Sequence, residues 1–212
     1  MLASEDIPEN DPWWFRQPIS GNAVNSELDK QTQRAEFRQV RDSYVNNLTD
    51  QDRALAFSKV PSPLAKILAP GKIVAGYVAK GSEVDPAAIL AQAHAMGCDL
   101  ALPHVTSKSA PMRFLRWSPD DDLVPGAFGL LQPAETAPEC KPDIVLVPML
   151  AYDDRLNRLG QGAGHYDRAL SVLDNSTAIG LAWSVQFTPV LASDIWDVPL
   201  DAVLTEKSWI TL

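Results

Sequence analysis

Cysteine is scarce. Cys98 and Cys140 are the only two in 212 residues, with no Cys-x-x-Cys pair and no Cys/His spacing of the zinc type. This excludes a disulfide framework and leaves two separated thiols, as expected in a reducing compartment. Positive charge is short too: 18 Lys and Arg face 27 Asp and Glu, for a formal net charge of −9. A broad nucleic-acid surface needs clustered excess cations, so none is expected, and an anionic ligand must be met by a few placed basic groups. Long apolar runs are also missing. The strongest, "IVLVPMLAY" at 144–152, falls far short of the ~20 residues a spanning helix needs. The opening "MLASEDIPEN" has neither the basic nor the apolar region of a secretion signal. Together these absences lead us to expect a cytoplasmic chain off the membrane, with small-molecule ligands and no obligate protein partner.

The length suits one α/β domain. Residues 1–25, rich in Pro, Asn, Asp and Glu, are expected to form an irregular extension, and residues 26–212 the single domain. The aromatic knot "PWWF" at 12–15 should pin the extension onto the body, because bare aromatics in water are costly. A helix starts near Ser26, where "SELD" offers a capping-box variant of Ser26 and Asp29. Phe37, Val40, Tyr44 and Leu48 then recur at helical spacing, with Lys30, Arg34, Arg38 and Arg41 as a second stripe beside them. "TDQD" at 49–52 resembles another helix start. "GKIVAGYVA" (71–79) reads as a buried strand, and 85–97 as a helix with Asp85 as cap, Pro86 in the first turn and Gly97 as terminator. Further strands are expected at 99–105, 112–117, 143–150, 177–184 and 201–206, and a short helix at 166–173. Strands alternating with helices imply a mostly parallel sheet covered on both faces.

The segment "RLGQGAGHYDR" (158–168) follows the strongest strand. A loop there sits at the carboxyl edge of an open sheet, where ligands bind. Gly160, Gly162 and Gly164 permit positive φ and remove Cβ atoms, so main-chain N–H groups can converge on an anion. The following helix would point its positive end there. Arg158 and Arg168 add charge, and Asp167 suits a hard cation such as Mg²⁺. The plainer alternative is a flexible turn. The spacing fits neither the dinucleotide nor the P-loop fingerprint.

"VPMLAYDDRLNRLGQGAGHYDR" resembles the signature of the 5-formyltetrahydrofolate cyclo-ligases, also called methenyltetrahydrofolate synthetases. The matching positions are Pro148, Tyr152, Asp153, Arg158, Leu159, Gly160, Gly162, Gly164, Tyr166 and Asp167. The resemblance extends to Lys30 and Arg34, to Glu83 in "YVAKGSEVDP", to Met112 and Phe114, to "GAFGLLQP" at 126–133, and to Asp197, Asp201, Thr205 and Glu206. His165 stands where members usually have Tyr, and Gln132 where many have Glu.

The resemblance implies a three-layer α/β sandwich, shared with certain sugar-phosphate isomerases and CoA transferases. It also implies a reaction: 5-formyltetrahydrofolate and ATP, with Mg²⁺, give 5,10-methenyltetrahydrofolate, ADP and phosphate. Ring closure by N10 must expel the formyl oxygen, a poor leaving group as hydroxide and a good one as phosphate. ATP therefore phosphorylates that oxygen first, and the protein supplies positioning and charge neutralisation. Carried over, Arg158, Tyr166 and Asp167 are the catalytic residues. Lys30, Arg34 and the run Arg158, Leu159, Gly160, Gln161, Gly162, Ala163, Gly164, His165, Tyr166 bind ATP. Val78, Glu83 and residues 161–165 line the folate side, and Asp167 and Asp197 hold the metal.

Each assignment has a bland rival. Helix charges such as Lys30 and Arg34 are as often solvated as functional, and Arg38 and Arg41 stay nearer that alternative. Glu83 precedes a helix cap and suits the helix dipole. Asp197, and more so Asp201, suit a turn or strand end. For the chain as a whole the alternatives are a folate- or nucleotide-binding protein without turnover, and a sugar-phosphate isomerase on the same fold.

Overall fold

The computed structural model describes residues 26–212, with side chains from residue 29 onward. The expectations for the extension at 1–25 and its aromatic knot fall outside the described residues, as does the side chain of the Ser26 cap, while the helix itself starts at Ser26 as expected. In chain order the elements are α1 (Ser26–Asn46), α2 (Asp50–Ala56), α3 (Ser62–Ala65), β1 (Ile73–Ala75), α4 (Ala87–Ala95), β2 (Asp99–His104), β3 (Arg113–Trp117), β4 (Val124–Pro125), β5 (Leu131–Gln132), β6 (Glu139–Cys140), β7 (Ile144–Pro148), β8 (Ala151–Tyr152), β9 (Arg158–Leu159), α5 (His165–Leu170), β10 (Thr177–Leu181), β11 (Ala202–Leu204) and β12 (Trp209–Ile210).

The main sheet has the order β12-β11-β10-β7-β1-β2-β3-β6. Its middle, β11 to β2, is parallel; β12 on one side and β3 with β6 on the other are antiparallel. Period-two alternation makes the layers. Along β7, Ile144 and Leu146 enter one core cluster with Val45, Ile89 and Leu90 of the helices. Val145 and Val147 enter the other with Ala169 and Leu170 of α5. A strand buried on both faces reads as a continuous apolar run, which is why "IVLVP" was legible. The mostly parallel three-layer expectation holds. No helix among the described residues is long and apolar enough to cross a membrane, and both thiols are free.

Several elements differ from expectation. β1 stops at Ala75, well before residue 79. Gly76 donates one more rung to the Ala101 carbonyl at 3.0 Å, and the chain then peels away into a loop closed by Tyr77 Oη donating to the Val84 carbonyl at 2.7 Å. Thr49 caps α2 as expected, accepting from Asp52 N–H. In α4 the cap position falls on Pro86, with no side-chain bond of its own, and Asp85, expected as the cap, stands one residue further out and accepts from Ala87 N–H at 2.9 Å. The Gly-rich segment does not follow β7 directly, because the β8–β9 hairpin intervenes.

The chain adds β2 on one side of β1, then returns to lay β7 and β10 on the other. The switch point therefore lies between the carboxyl ends of β1 and β7. The amino edge of the same pair is tied by Asp143, which accepts Ile73 N–H at 2.8 Å and Lys72 Nζ at 2.6 Å. The Ile73 amide, and then Lys72, hold this carboxyl below its ordinary pKa. A depressed acid stabilises the fold above its unfolded-state pKa, and the contribution disappears as pH falls through the folded value. Asp143→Ala should therefore cost about 1–2 kcal/mol at pH 7, and the gap between variant and wild type should close below about pH 4. Urea denaturation across that range measures it.

Candidate active site

α1 presents one inward stripe. Lys30, Phe37, Arg41 and Val45 are buried and Arg34 is half-buried. These positions recur every three or four residues, so the cations and the apolar residues share a face. Of the expected apolar stripe, Val40, Tyr44 and Leu48 are only half-buried. Arg41 corrects the solvated reading. It is 4% exposed, and it donates to Ser82 Oγ at 2.9 Å and the Met149 carbonyl at 3.4 Å, with Glu83 at 3.9 Å. It thus spans the carboxyl ends of β1 and β7. The signal was present: Arg41 lies four residues from both Phe37 and Val45.

The β8–β9 hairpin is built on Asp153. This buried carboxylate accepts from Arg155 N, Asn157 N, Asn157 Nδ2 and Leu191 N, all at 2.9 to 3.2 Å. The hairpin delivers Arg158 to the cleft, and the glycine loop follows. Gly162 and Gly164 have φ of +97° and +64°, a region L side chains avoid. Arg34 Nε donates to the Gly160 carbonyl at 3.1 Å and Arg168 Nη1 to the Ala163 carbonyl at 2.9 Å. No main-chain N–H from Gln161 to Gly164 donates a hydrogen bond among the described residues. The loop therefore has its carbonyls tied back and its donors available. α5 is only six residues long, so these donors and the side chains, rather than a long helix dipole, carry the anion field.

A Cβ at Gly162 would lie 3.2 Å from the Arg34 guanidinium carbon. Gly162→Ala should cost about 1–2 kcal/mol from the left-handed backbone, or roughly 2–8 °C in Tm, and calorimetry reads it.

The cleft of about 590 Å³ is lined by Lys30, Arg34, Arg158, Gly162, Asp167 and Asp197, together with the 194–199 segment. Three separate stretches of sequence meet there. A second cleft of about 540 Å³, between Asp99, Arg116 and Trp117, contains none of the expected site residues. Two cations, in three ion pairs, dominate the first. Arg158 donates to Asp167 Oδ1 at 2.5 Å and also bonds the Val198 carbonyl. Burial lowers the Arg158 pKa and Asp167 opposes that. Lys30 Nζ donates to Asp194 at 2.6 Å and Asp197 at 3.0 Å. Burial pulls its pKa down, but the two carboxylates outweigh burial and hold it above the ordinary lysine value. Two of the three expected phosphate cations, Lys30 and Arg158, are thus paired with the expected metal carboxylates. Asp194 was not anticipated.

Of the residues expected on the folate side, Gln161 and Glu83 meet beside the loop. Gln161 donates to Glu83 Oε1 at 3.3 Å and accepts from the exposed Arg38 at 2.8 Å. Val78 packs half-buried against the first core. Tyr166 packs against the second, its pKa raised by burial and then by Glu83. Burial, then Arg168, lowers the pKa of His165, so the ring is neutral at pH 7. Arg168 Nη2 lies 3.1 Å from Nδ1. Arginine only donates, so the proton sits on Nε2, which is buried and has no partner among the described residues. Two other residues are structural. Asp201 accepts Ala178 N–H at 2.7 Å at a strand start, and Gln132 accepts Val105 N–H at 3.1 Å.

Residues 26–206 match the model of the 5-formyltetrahydrofolate cyclo-ligase family. The chain is 30% identical over 185 residues to the 5-formyltetrahydrofolate cyclo-ligase of Haemophilus influenzae, covering 82% of this chain and 96% of that one. It is 33% identical over 148 residues to the Mycolicibacterium smegmatis enzyme of the same name, covering 65% and 75%. The solved structure of Aquifex aeolicus 5,10-methenyltetrahydrofolate synthetase superposes with a TM-score of 0.69 at 29% identity, covering 86% of this chain and 92% of that one. With its motifs, its sheet and its glycine-loop cleft in agreement, the chain belongs to the 5-formyltetrahydrofolate cyclo-ligase family.

Proposed function

We propose that this cleft carries out the family's reaction, the ATP-dependent closure of 5-formyltetrahydrofolate to 5,10-methenyltetrahydrofolate with release of ADP and phosphate. The observation that supports it most is the meeting of Arg158, Asp167, Lys30, Arg34 and the open loop donors in one cleft. The triphosphate lies on the N–H groups of residues 161–164, with Arg158 and Arg34 at its terminal phosphates. This places the γ-phosphoryl group toward the loop tip, where Glu83, Gln161, His165 and Tyr166 receive the folate. The formyl oxygen takes the phosphoryl group, N10 attacks the formyl carbon, and phosphate leaves. His165 offers its Nε2–H to substrate where relatives have a tyrosine hydroxyl.

The donor set fits magnesium. Asp167 and Asp197 offer hard carboxylate oxygens, and Asp167 Oδ2 and Asp197 Oδ1 accept no hydrogen bond among the described residues. An ion there would neutralise phosphate charge. The ion pairs support the same reading. Stripping one partner from a buried pair leaves a costly bare charge, whereas a metal–triphosphate brings a cation to the open oxygens of Asp167 and Asp197 and an anion to Arg158, while Lys30 keeps Asp194 and Asp197 Oδ2. The two free thiols accord with a cytoplasmic setting.

The test is direct: protein, 5-formyltetrahydrofolate, Mg²⁺ and ATP, followed by the near-UV band of the methenyl product. Product that requires ATP is expected. Tight binding of both substrates without product would instead mark a binding protein, and overturn the assignment.

A further inference from the structure

The cleft lining divides into two halves. One is cationic, with Lys30, Arg34, Arg158 and Arg168; the other is formed by 195–199 and is largely apolar. Within the apolar half Ile195 is 98% exposed and Trp196 is 66% exposed. An indole left in water beside a charged cleft forgoes burial worth about 1.5–3 kcal/mol.

The segment that carries them is pinned. Asp197 N–H donates to the Asp194 carbonyl at 3.0 Å, Asp194 N–H donates to Asp197 Oδ2 at 2.8 Å, and buried Lys30 grips both carboxylates. Ile195 and Trp196 are therefore the two corner residues of a turn stapled to α1. Their presentation to the cleft is preorganised, so little ordering cost attends a ligand that covers them.

A nucleoside triphosphate has the same two-part character, an anionic chain and a flat, apolar-faced base. We propose that the 194–197 turn is the base wall of the cleft, with the Trp196 indole stacking on the adenine of ATP and Ile195 beside it. This rests on the nucleotide reading above. It assigns Lys30 a positioning task, holding the wall through Asp194 and Asp197. Stacking of a base on an aromatic side chain is worth ~1–3 kcal/mol, which converts to about 5- to 150-fold in affinity.

Calorimetric titration of Mg²⁺–ATP and of inorganic tripolyphosphate into wild type, Trp196→Ala and Trp196→Phe tests it. We expect Trp196→Ala to weaken ATP about 5- to 150-fold, to leave tripolyphosphate unchanged, and Trp196→Phe to recover most of the loss. An unchanged ATP affinity in Trp196→Ala overturns the base wall, as does equal weakening of both ligands. If ATP fails to bind wild type at all, the nucleotide reading itself falls. If Trp196→Ala instead dissociates an oligomer in sedimentation with ATP affinity intact, the patch is a self-association surface and the proposal is wrong.

Discussion

Arg158→Ala is expected to lower kcat by about 10²- to 10³-fold or more, the loss typical of removing one preorganised charge donor at a reacting oxyanion. It should also destabilise the protein. The side chain is only 4% exposed and serves Asp167 and the Val198 carbonyl at once, so its loss strands a carboxylate at a cost on the order of 3–5 kcal/mol. Two milder variants separate chemistry from folding. Arg158→Lys keeps the charge but not the fork that reaches two acceptors together, so it should fold and turn over poorly. Asp167→Asn keeps the shape and should also fold and turn over poorly. Single-turnover kinetics alongside thermal melts give the answer. Wild-type rates in both milder variants would overturn the site assignment.

Arg41→Met should have the second largest effect, a stability loss of about 3 kcal/mol or more, read as a lower midpoint in urea. The guanidinium occupies the switch point of the sheet, bonding Ser82 Oγ and the Met149 carbonyl beside Glu83. Ser82 is engaged further: its hydroxyl bonds Asp42 and its carbonyl accepts Trp183 Nε1–H at 3.0 Å. Methionine fills much of the volume and replaces none of these bonds. Glu83 also loses its buried cation, so the KM for the folate should rise in the same variant. A stable Arg41→Met with an unaltered folate KM would show that Arg41 neither supports the fold nor positions Glu83.

The residues that sequence reading found and those it missed differ in how they are encoded. "IVLVP" could be read because a strand covered on both faces shows an unbroken apolar run, and the structure divides it residue by residue between two core clusters. The glycine loop could be read because positive φ at Gly162 and Gly164 demands residue types that stand out. Arg41 was passed over because charge on a helix is usually solvated, and only the burial of Phe37 and Val45 on the same face reveals its environment. Asp194 and Trp196 carried no local signal. Their significance arises where a turn meets the first helical turns of α1, more than 160 residues away in sequence.

The sequence by itself determined the layered α/β fold, the family, and the glycine loop of the cleft, because periodicity, glycine and motif order are local properties that survive without coordinates. Tertiary structure alone decided how the charges are matched: Lys30 to Asp194 and Asp197, Arg158 to Asp167, Arg41 to the switch point. Electrostatic energy depends on distance and burial, and neither can be read from spacing along the chain when the partners come from opposite ends of it.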